Sequence, residues 1–226
     1  MSYQRKLKGL YIITDDKSTP SNNVLEKVEL ALQGGASIVQ LRDKISSDTV
    51  LEQIVLRIQK LCKEYEALFV LNDKIELAIK LQCDGLHIGK SDHKNLENIR
   101  KRFHGIIGVS CYGDILLAKY CELMGADYVA FGSFYNSPTK PDSNIVPLKV
   151  LQEAKEKITI PICAIGGINT QNLDEVMSYK PDMVSVISDI WNSDNITETI
   201  KRYTDYFLKG KSHDNIKIAL GVVFKS

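Results

Sequence analysis

The sequence has no apolar run long enough to span a bilayer, and it carries almost no net charge. Its 226 residues include 29 basic and 28 acidic ones, which gives a formal charge of +1. This balance argues against nucleic acid or an acidic membrane as a partner, because both attract an excess of positive charge. The first residues also lack the apolar core and cleavage pattern of a signal peptide. We therefore expect a cytoplasmic protein without a membrane or nucleic-acid partner, in which anion binding depends on local placement of charge.

Cysteine is scarce, and its spacing argues against two common kinds of site. The five cysteines are odd in number, widely spaced and without a CxxC pair; they are Cys62, Cys83, Cys111, Cys121 and Cys163. Neither a disulfide framework nor a cysteine-based zinc site is therefore expected. A chain of this length buries enough apolar surface to fold without either.

What the sequence does contain is a regular alternation of Val- and Ile-rich segments with segments of helical period. Eight strand–helix pairs follow one another, from a first strand at 10–14 to an eighth at 183–187 and a last helix at 196–208. This order predicts an α/β protein with a single (β/α)8 TIM barrel, spanning residues 1–210. An open doubly wound sheet is the alternative, but the first turn has no GxGxxG. Residues 211–226 form a tail without an assigned role.

In a barrel of this kind, catalytic groups lie where the strands end and the following loops begin. The second strand places Gln40, Arg42 and Lys44 on one face, because side chains alternate along a strand. Arginine offers a planar fork and lysine a mobile point charge for phosphate oxygens. We therefore expect an anion site here. An internal network of salt bridges with acidic neighbours is the alternative.

Two carboxylates follow neighbouring strands, Asp73 after the third and Asp92 after the fourth. Oxygen ligands beside a phosphate site favour Mg²⁺, with water and substrate oxygens completing its shell. A helix N-cap is the alternative for each aspartate, since each precedes a helical segment. His87 is expected to be a core or supporting residue. After the fifth strand, Ser110 can donate to a phosphate, whereas Cys111 has no evident base partner.

A second anion site is predicted from the loops after strands six to eight. The sixth loop contains Ser137-Pro138-Thr139-Lys140, whose hydroxyls, rigid proline and cation suit an anion. Gly166-Gly167 follows the seventh strand and lets backbone N–H groups approach an oxyanion closely. The eighth strand ends in Ile187-Ser188, and the loops after strands seven and eight are the usual phosphate site of the barrel. A plain surface turn and a glycine turn of positive φ are the alternatives.

The chain resembles the thiamine phosphate synthase family, also called thiamine phosphate pyrophosphorylase. The resemblance extends from about Tyr11 to Ile190 and lies in LYIITD, GGASIVQLRDK, VLNDKIELA, CDGLHIGKSD, IIGVSCY, GADYVAFGSF, SPTK, IPICAIGGIN and VSVIS. None of these segments is specific alone, but together they are highly specific.

The resemblance implies a transferase that joins an aminopyrimidine diphosphate to a thiazole phosphate, forming thiamine phosphate and releasing pyrophosphate. It implies that the pyrimidine diphosphate is bound by Gln40, Leu41, Arg42, Asp43, Lys44, Asn72, Ser110 and Lys140. It implies that the thiazole phosphate is bound by Ser137, Pro138, Thr139, Gly167, Ile187 and Ser188. Mg²⁺ would be the cofactor, held by Asp73 and Asp92. The implied catalytic residues are Arg42, Lys44, Ser110 and Lys140.

One departure from the family pattern and two alternative functions stay open. Lys90-Ser91 stands where the family usually has Gln-Glu, so an acid near the expected metal is missing. A related tautomerase branch is an isomerase that uses a histidine after the fifth strand, where this chain has Cys111-Tyr112. The other alternative is a non-catalytic paralogue that binds phosphates. The expected partners are phosphorylated small molecules, and a homo-oligomer is possible.

Overall fold

The computed structural model of the protein describes residues 7–137 and 144–208. Eight parallel strands form one closed barrel in chain order, and β8 pairs with β1 to complete it. The predicted (β/α)8 barrel is therefore confirmed. The tail at 211–226 lies outside the described residues.

The element bounds follow the predicted alternation closely. The strands are β1 (Gly9–Ile13), β2 (Ile38–Leu41), β3 (Leu68–Asn72), β4 (Gly85–Ile88), β5 (Ile106–Tyr112), β6 (Tyr128–Phe131), β7 (Ile162–Ile165) and β8 (Met183–Val186). The helices are α1 (Val24–Gln33), α2 (Asp48–Glu64), α3 (Ile75–Lys80), α4 (Leu96–Arg102), α5 (Ile115–Leu123), α6 (Lys149–Lys157), α7 (Leu173–Ser178), α8 (Ser188–Trp191) and α9 (196–208). None of the helices in the described ranges is long and apolar enough to cross a membrane.

Two short elements were missed by the sequence pattern, and both lie at the end of the barrel where the strands terminate. A 3-10 helix, Lys90–Asn95, follows β4 and carries Asp92. The four-residue helix α8 begins at Ser188, directly after β8, and precedes α9. Elements this short contain too few residues to show a helical period.

The helices α2 and α5 each begin after a side chain that accepts a backbone hydrogen bond, whereas α1, α3, α4 and α6 have no side-chain cap. The Ser47 hydroxyl accepts from the N–H of Val50 at 3.5 Å and so caps α2. Asp114 caps α5 by accepting from the N–H of Leu117 at 2.8 Å. Such caps satisfy N–H groups that have no partner within the helix.

The core has two layers, because strand side chains alternate between the barrel interior and the surrounding helices. The outer layer combines strand residues with the buried faces of the helices. The inner cluster contains no residue of the long helices; its buried members are Leu7, Tyr11, Ile13, Ile38, Leu68, Val70, Ile106, Tyr128, Ala130, Cys163 and Met183. Inner side chains nearest the strand ends therefore form the floor of the candidate site.

Candidate active site

The first predicted cluster lies just beyond the end of β2. Arg42 is held by its main chain, since its N–H donates to the Thr14 hydroxyl at 2.9 Å. Its guanidinium pairs with Asp16 at 3.5 Å, and both side chains are about a quarter exposed, at 27% and 26%. Lys44 donates to Asp73 through its ammonium group and to Asp16 through its main-chain N–H at 2.8 Å. The structure thus brings the two cations that follow β2 together with Asp16 and with one predicted aspartate, Asp73.

Asp16 was missed in the sequence, and it bears on the salt-bridge alternative. Its position after β1 was a usable signal, because a charged residue at a strand end is a site candidate in this fold. Arg42 and Lys44 each have an acidic partner here, as that alternative requires. However, the Lys44 and Asp73 side chains are 43% and 32% exposed, so a ligand can still reach them. The ion pairs therefore hold the cations apart and in place while leaving them accessible.

The side chains of Leu41 and Asp43, on either side of Arg42, point away from the anion cluster and contact the core and the following turn. The Leu41 side chain is 1% exposed and packs in the outer core, away from the mouth. The Asp43 carboxylate accepts from the N–H groups of Ile45 and Ser46 at 3.0 and 2.8 Å. Burial would raise the pKa of Asp43, but the hydrogen bonds from Ser46 and Ile45 outweigh it and lower the pKa. Asp43 thus shapes the turn that carries its neighbours.

Neither aspartate proposed for a metal acts as a side-chain helix cap. Asp73 has a positive φ of 60° just beyond β3, and the N-cap position of α3 is Lys74, which makes no side-chain cap hydrogen bond. Asp92 lies within the 3-10 helix, where its carboxylate accepts from the Ser91 hydroxyl at 2.6 Å. Across residues 7–137 and 144–208, no group of three or more His, Cys, Asp or Glu side chains could hold a metal ion. A site here would need oxygens from a ligand or water.

The neighbouring polar groups reach through the barrel interior to Ser110. Asn72 donates to the main-chain oxygen of His87 at 3.4 Å. The His87 ring bonds to the Ser110 hydroxyl through Nε2 and to the Tyr128 hydroxyl through Nδ1, both at 2.8 Å. His93, which sequence reasoning did not single out, bonds to the Ser110 main-chain oxygen at 3.0 Å. His87 therefore supports Ser110, in line with the supporting role expected for it.

The interior bonds continue from Tyr128 to the second strand. The two tyrosine hydroxyls of Tyr11 and Tyr128 are 2.7 Å apart, and the Gln40 amide nitrogen donates to Tyr11 at 2.7 Å. Burial raises the pKa of both tyrosines, so both hydroxyls keep their hydrogens. We call the five groups the buried hydrogen-bond chain; in order they are Gln40, Tyr11, Tyr128, His87 and Ser110.

Cys111 is a buried thiol whose surroundings disfavour the thiolate form. Its side chain is fully covered in the outer core. A hydrogen bond with Cys121, together with burial, raises the pKa of the Cys111 thiol far above its usual range. Because the thiolate is the nucleophilic form, this environment opposes thiol chemistry.

The second predicted cluster surrounds the turn after β7. Gly166 and Gly167 have φ angles of +100° and +65°. At Gly167 a Cβ would lie 2.4 Å from the Asn136 main-chain oxygen, so the close approach of two loops also requires glycine. The glycine-turn alternative is therefore correct as a description of the backbone. It is compatible with an anion site, since the same turn lies beside the end of β8.

A cavity of about 620 Å³ joins this turn to the start of α8. Its lining includes Asn136, Gly167, Asn169 and Ser188. Ile187 directly precedes Ser188 and is partly buried. Ser137 is the last residue before the gap in the described residues, and it has interaction partners in the structure. Three predicted residues of the same loop, Pro138, Thr139 and Lys140, lie outside the described residues.

The fold and these clusters define the class as a (β/α)8-barrel enzyme with polar sites at the C-terminal ends of its strands. The family model described as thiamine monophosphate synthase matches residues 10–190. The chain belongs to this family.

Individual relatives agree with the family match. The thiamine-phosphate synthase of Thermoplasma acidophilum is 41% identical over 83% of this chain and 87% of its own length. That of Picrophilus torridus is 40% identical over 90% of this chain and 98% of its own. A thiamine phosphate pyrophosphorylase from Pyrococcus furiosus superposes with a TM-score of 0.80 at 32% identity, covering 89% of this chain and 96% of that one.

Proposed function

We propose that this chain is a thiamine-phosphate synthase. It joins an aminopyrimidine diphosphate to a thiazole phosphate and releases pyrophosphate. The observation that carries this proposal is that two clusters suited to anions lie at the same end of the barrel. One contains Arg42, Lys44 and Asp73, and the other contains Gly167 and Ser188. Family membership supports the same reaction.

The first cluster binds the pyrimidine diphosphate. The Arg42 fork and the Lys44 ammonium group contact diphosphate oxygens, and Lys140 adds a third cation from the sixth loop. Asn72 and Ser110 supply neutral polar groups beside them. Asp43 and Leu41 contribute through the backbone of their loop, because their side chains are engaged elsewhere.

The second cluster binds the thiazole phosphate. Gly167 allows its main chain to approach the phosphate, and Ser188 lies across the same cavity. Ile187 positions the Ser188 end of β8. The family resemblance assigns Ser137, Pro138 and Thr139 to the same phosphate, with the hydroxyls as donors and proline as a rigid support.

The donor set at Asp73 and Asp92 fits Mg²⁺, which usually binds one or two carboxylates, several waters and substrate phosphates. When bound, Mg²⁺ neutralises charge on the diphosphate and so makes pyrophosphate a better leaving group. Asp73, which also pairs with Lys44, would hold the metal together with Asp92. Lys90-Ser91 leaves no carboxylate directly before Asp92.

The reaction needs no protein nucleophile. The bond from the pyrimidine methylene carbon to the diphosphate oxygen breaks early, and its electron pair leaves with pyrophosphate. The electron-rich pyrimidine ring stabilises the cation that remains, and the thiazole nitrogen uses its lone pair to form the new carbon–nitrogen bond. Arg42, Lys44 and Lys140 stabilise the departing charge. Holding the two halves in line supplies roughly 7–11 kcal/mol of the barrier reduction.

A direct assay tests this function. The full chain is mixed with both phosphorylated halves and Mg²⁺, and thiamine phosphate and pyrophosphate are measured together. We expect equal amounts of both products. Isomerisation of a thiazole phosphate without condensation would support the tautomerase alternative, and binding without turnover would support the non-catalytic one.

A further inference from the structure

The direction of the first bond in the buried hydrogen-bond chain is fixed, because the Gln40 amide nitrogen can only donate. The Gln40 amide nitrogen has hydrogens and no acceptor, so the Tyr11 oxygen must accept at this 2.7 Å contact. Tyr11 is 1% exposed and Tyr128 is fully buried. Bulk water therefore does not reach their hydroxyls, and each hydrogen should have a partner in the interior.

The remaining hydrogens can then be placed one after another. Tyr11 has a single hydrogen, which satisfies the 2.7 Å contact if it points at the Tyr128 oxygen. If Tyr128 donated to Tyr11 instead, the Tyr11 oxygen would accept from both neighbours, and the hydrogen of Tyr11 would be buried without an acceptor. Leaving a buried donor unpaired is unfavourable. Tyr128 therefore accepts from Tyr11 and donates to Nδ1 of His87.

We propose that the buried hydrogen-bond chain has a single hydrogen order, in which every donor points from Gln40 towards Ser110. His87 is then neutral, with its hydrogen on Nε2, and donates to the Ser110 hydroxyl at 2.8 Å. The Ser110 oxygen already accepts from His87, so its own hydrogen turns towards the site. Tyr11, Tyr128 and His87 are thus positioning residues that make Ser110 a donor.

This order determines which ligand group Ser110 can recognise. A hydroxyl that donates matches an acceptor, such as a diphosphate oxygen or an unprotonated ring nitrogen of the pyrimidine. His93 holds the main chain of Ser110, because the Ser110 main-chain oxygen can only accept and Nε2 of His93 must therefore donate. The identity of the acceptor rests on the proposed function, whereas the hydrogen order does not.

The first test reads the hydrogen order directly in the full chain without substrates. Nitrogen-15 NMR of the histidine rings should show His87 with a hydrogen on Nε2 and a bare, accepting Nδ1. His93 should also carry its hydrogen on Nε2. A His87 hydrogen on Nδ1, or on both nitrogens at neutral pH, would overturn the proposal.

The second test uses Tyr128→Phe, which keeps the ring and removes the hydroxyl. We expect mixed His87 tautomers, an unchanged His93 signal and a fall in kcat/KM for the pyrimidine diphosphate of about tenfold. Tyr120→Phe, at a partly exposed position on α5, is the matched control and should leave both readouts unchanged. If Tyr128→Phe does not fold, Tyr11→Phe replaces it: Tyr128 still donates to Nδ1, so His87 should keep its hydrogen on Nε2, and a move of that hydrogen to Nδ1 would overturn the order.

A double mutant separates positioning from a general effect on the fold. If Tyr128 acts through Ser110, adding Tyr128→Phe to Ser110→Ala should lower kcat/KM no further, because the two changes remove the same interaction. A further tenfold loss in the double mutant would contradict the proposal. A wild-type chain that makes no thiamine phosphate yet shows the Nε2 hydrogen would contradict the proposed function and support the hydrogen order.

Discussion

Asp73 combines a charge with an unusual backbone conformation. Its φ of 60° lies in the left-handed region, where aspartate and asparagine are tolerated better than most residues. Its carboxylate faces Lys44 and is one third exposed. Asparagine can therefore replace it without a change of backbone or size, which isolates the effect of the charge.

We expect Asp73→Asn and Asp92→Asn each to lower Mg²⁺-dependent pyrophosphate release by about 100-fold, because each removes a charged metal ligand. Initial rates measured over a range of Mg²⁺ concentrations check this. Asp205→Asn is the control, since Asp205 is exposed and lies on α9, which does not follow either of the strands that carry the two aspartates. Unchanged Mg²⁺ dependence in both variants would remove the metal assignment.

The role of Lys140 is separable by kinetics. Lys140→Ala should reduce kcat by roughly 100-fold while the KM for thiazole phosphate changes little, because the proposed partner of Lys140 is the leaving diphosphate. Steady-state measurements with each substrate varied in turn check this. A raised KM for thiazole phosphate with unchanged kcat would place Lys140 on the other ligand.

At the scale of elements, the turn between β7 and α7 leaves no room for an added methyl group at Gly167. Asn172 donates to the Gly167 main-chain oxygen at 3.0 Å, which ties the turn to the start of α7. Trp191 of α8 donates to the Ile13 main-chain oxygen at 2.6 Å, which fixes α8 against the end of β1. The two sides of the 620 Å³ cavity are thus held independently.

Gly167→Ala should raise the KM for thiazole phosphate at least tenfold, since a left-handed residue with a side chain costs roughly 1–2 kcal/mol before any clash. The new Cβ would also lie 2.4 Å from the Asn136 oxygen and push the two loops apart. The control is Gly89→Ala, after β4, where a Cβ would meet nothing within 4 Å. Equal KM values in the two variants would contradict the proposed phosphate site.

At the scale of the whole molecule, Glu122 links α5 to the segment that leads into β7. Its carboxylate accepts from the N–H groups of Thr159 and Ile160 at 2.7 and 3.1 Å and pairs with Lys119 at 2.6 Å. Burial alone would raise the pKa of Glu122, but the contacts with Lys119, Thr159 and Ile160 outweigh it and lower the pKa to about 2.

Glu122 should therefore make stability depend on acid. The pKa of Glu122 is lower in the folded state than in the unfolded chain, where glutamate titrates at about 4.3. Its contribution to the free energy of unfolding is therefore complete above that pH. It is lost as the pH falls from about 4.3 through about 2. Urea unfolding across this range should show a smaller loss of stability for Glu122→Gln than for the wild type. Parallel curves would contradict this assignment.

The alternation in the sequence predicted the fold, and the last helix begins at residue 196 as predicted. It also placed the strand-end residues Arg42, Asp73 and Gly167 at one end of the barrel, since parallel strands end together. It missed Asp16 as the partner of Arg42, because a local pattern does not show which charges meet across strands. The proposed roles in binding remain predictions.

What the sequence determined by itself is the order and type of the elements, because hydrophobic period and caps act within a few residues. What only the tertiary structure decided is the set of pairings across the barrel. Tyr11 and Tyr128 are 117 residues apart, yet their hydroxyls meet at 2.7 Å inside the closed barrel. Such a contact depends on strand register and barrel closure, in which all eight strands take part, and no segment of the chain specifies it alone.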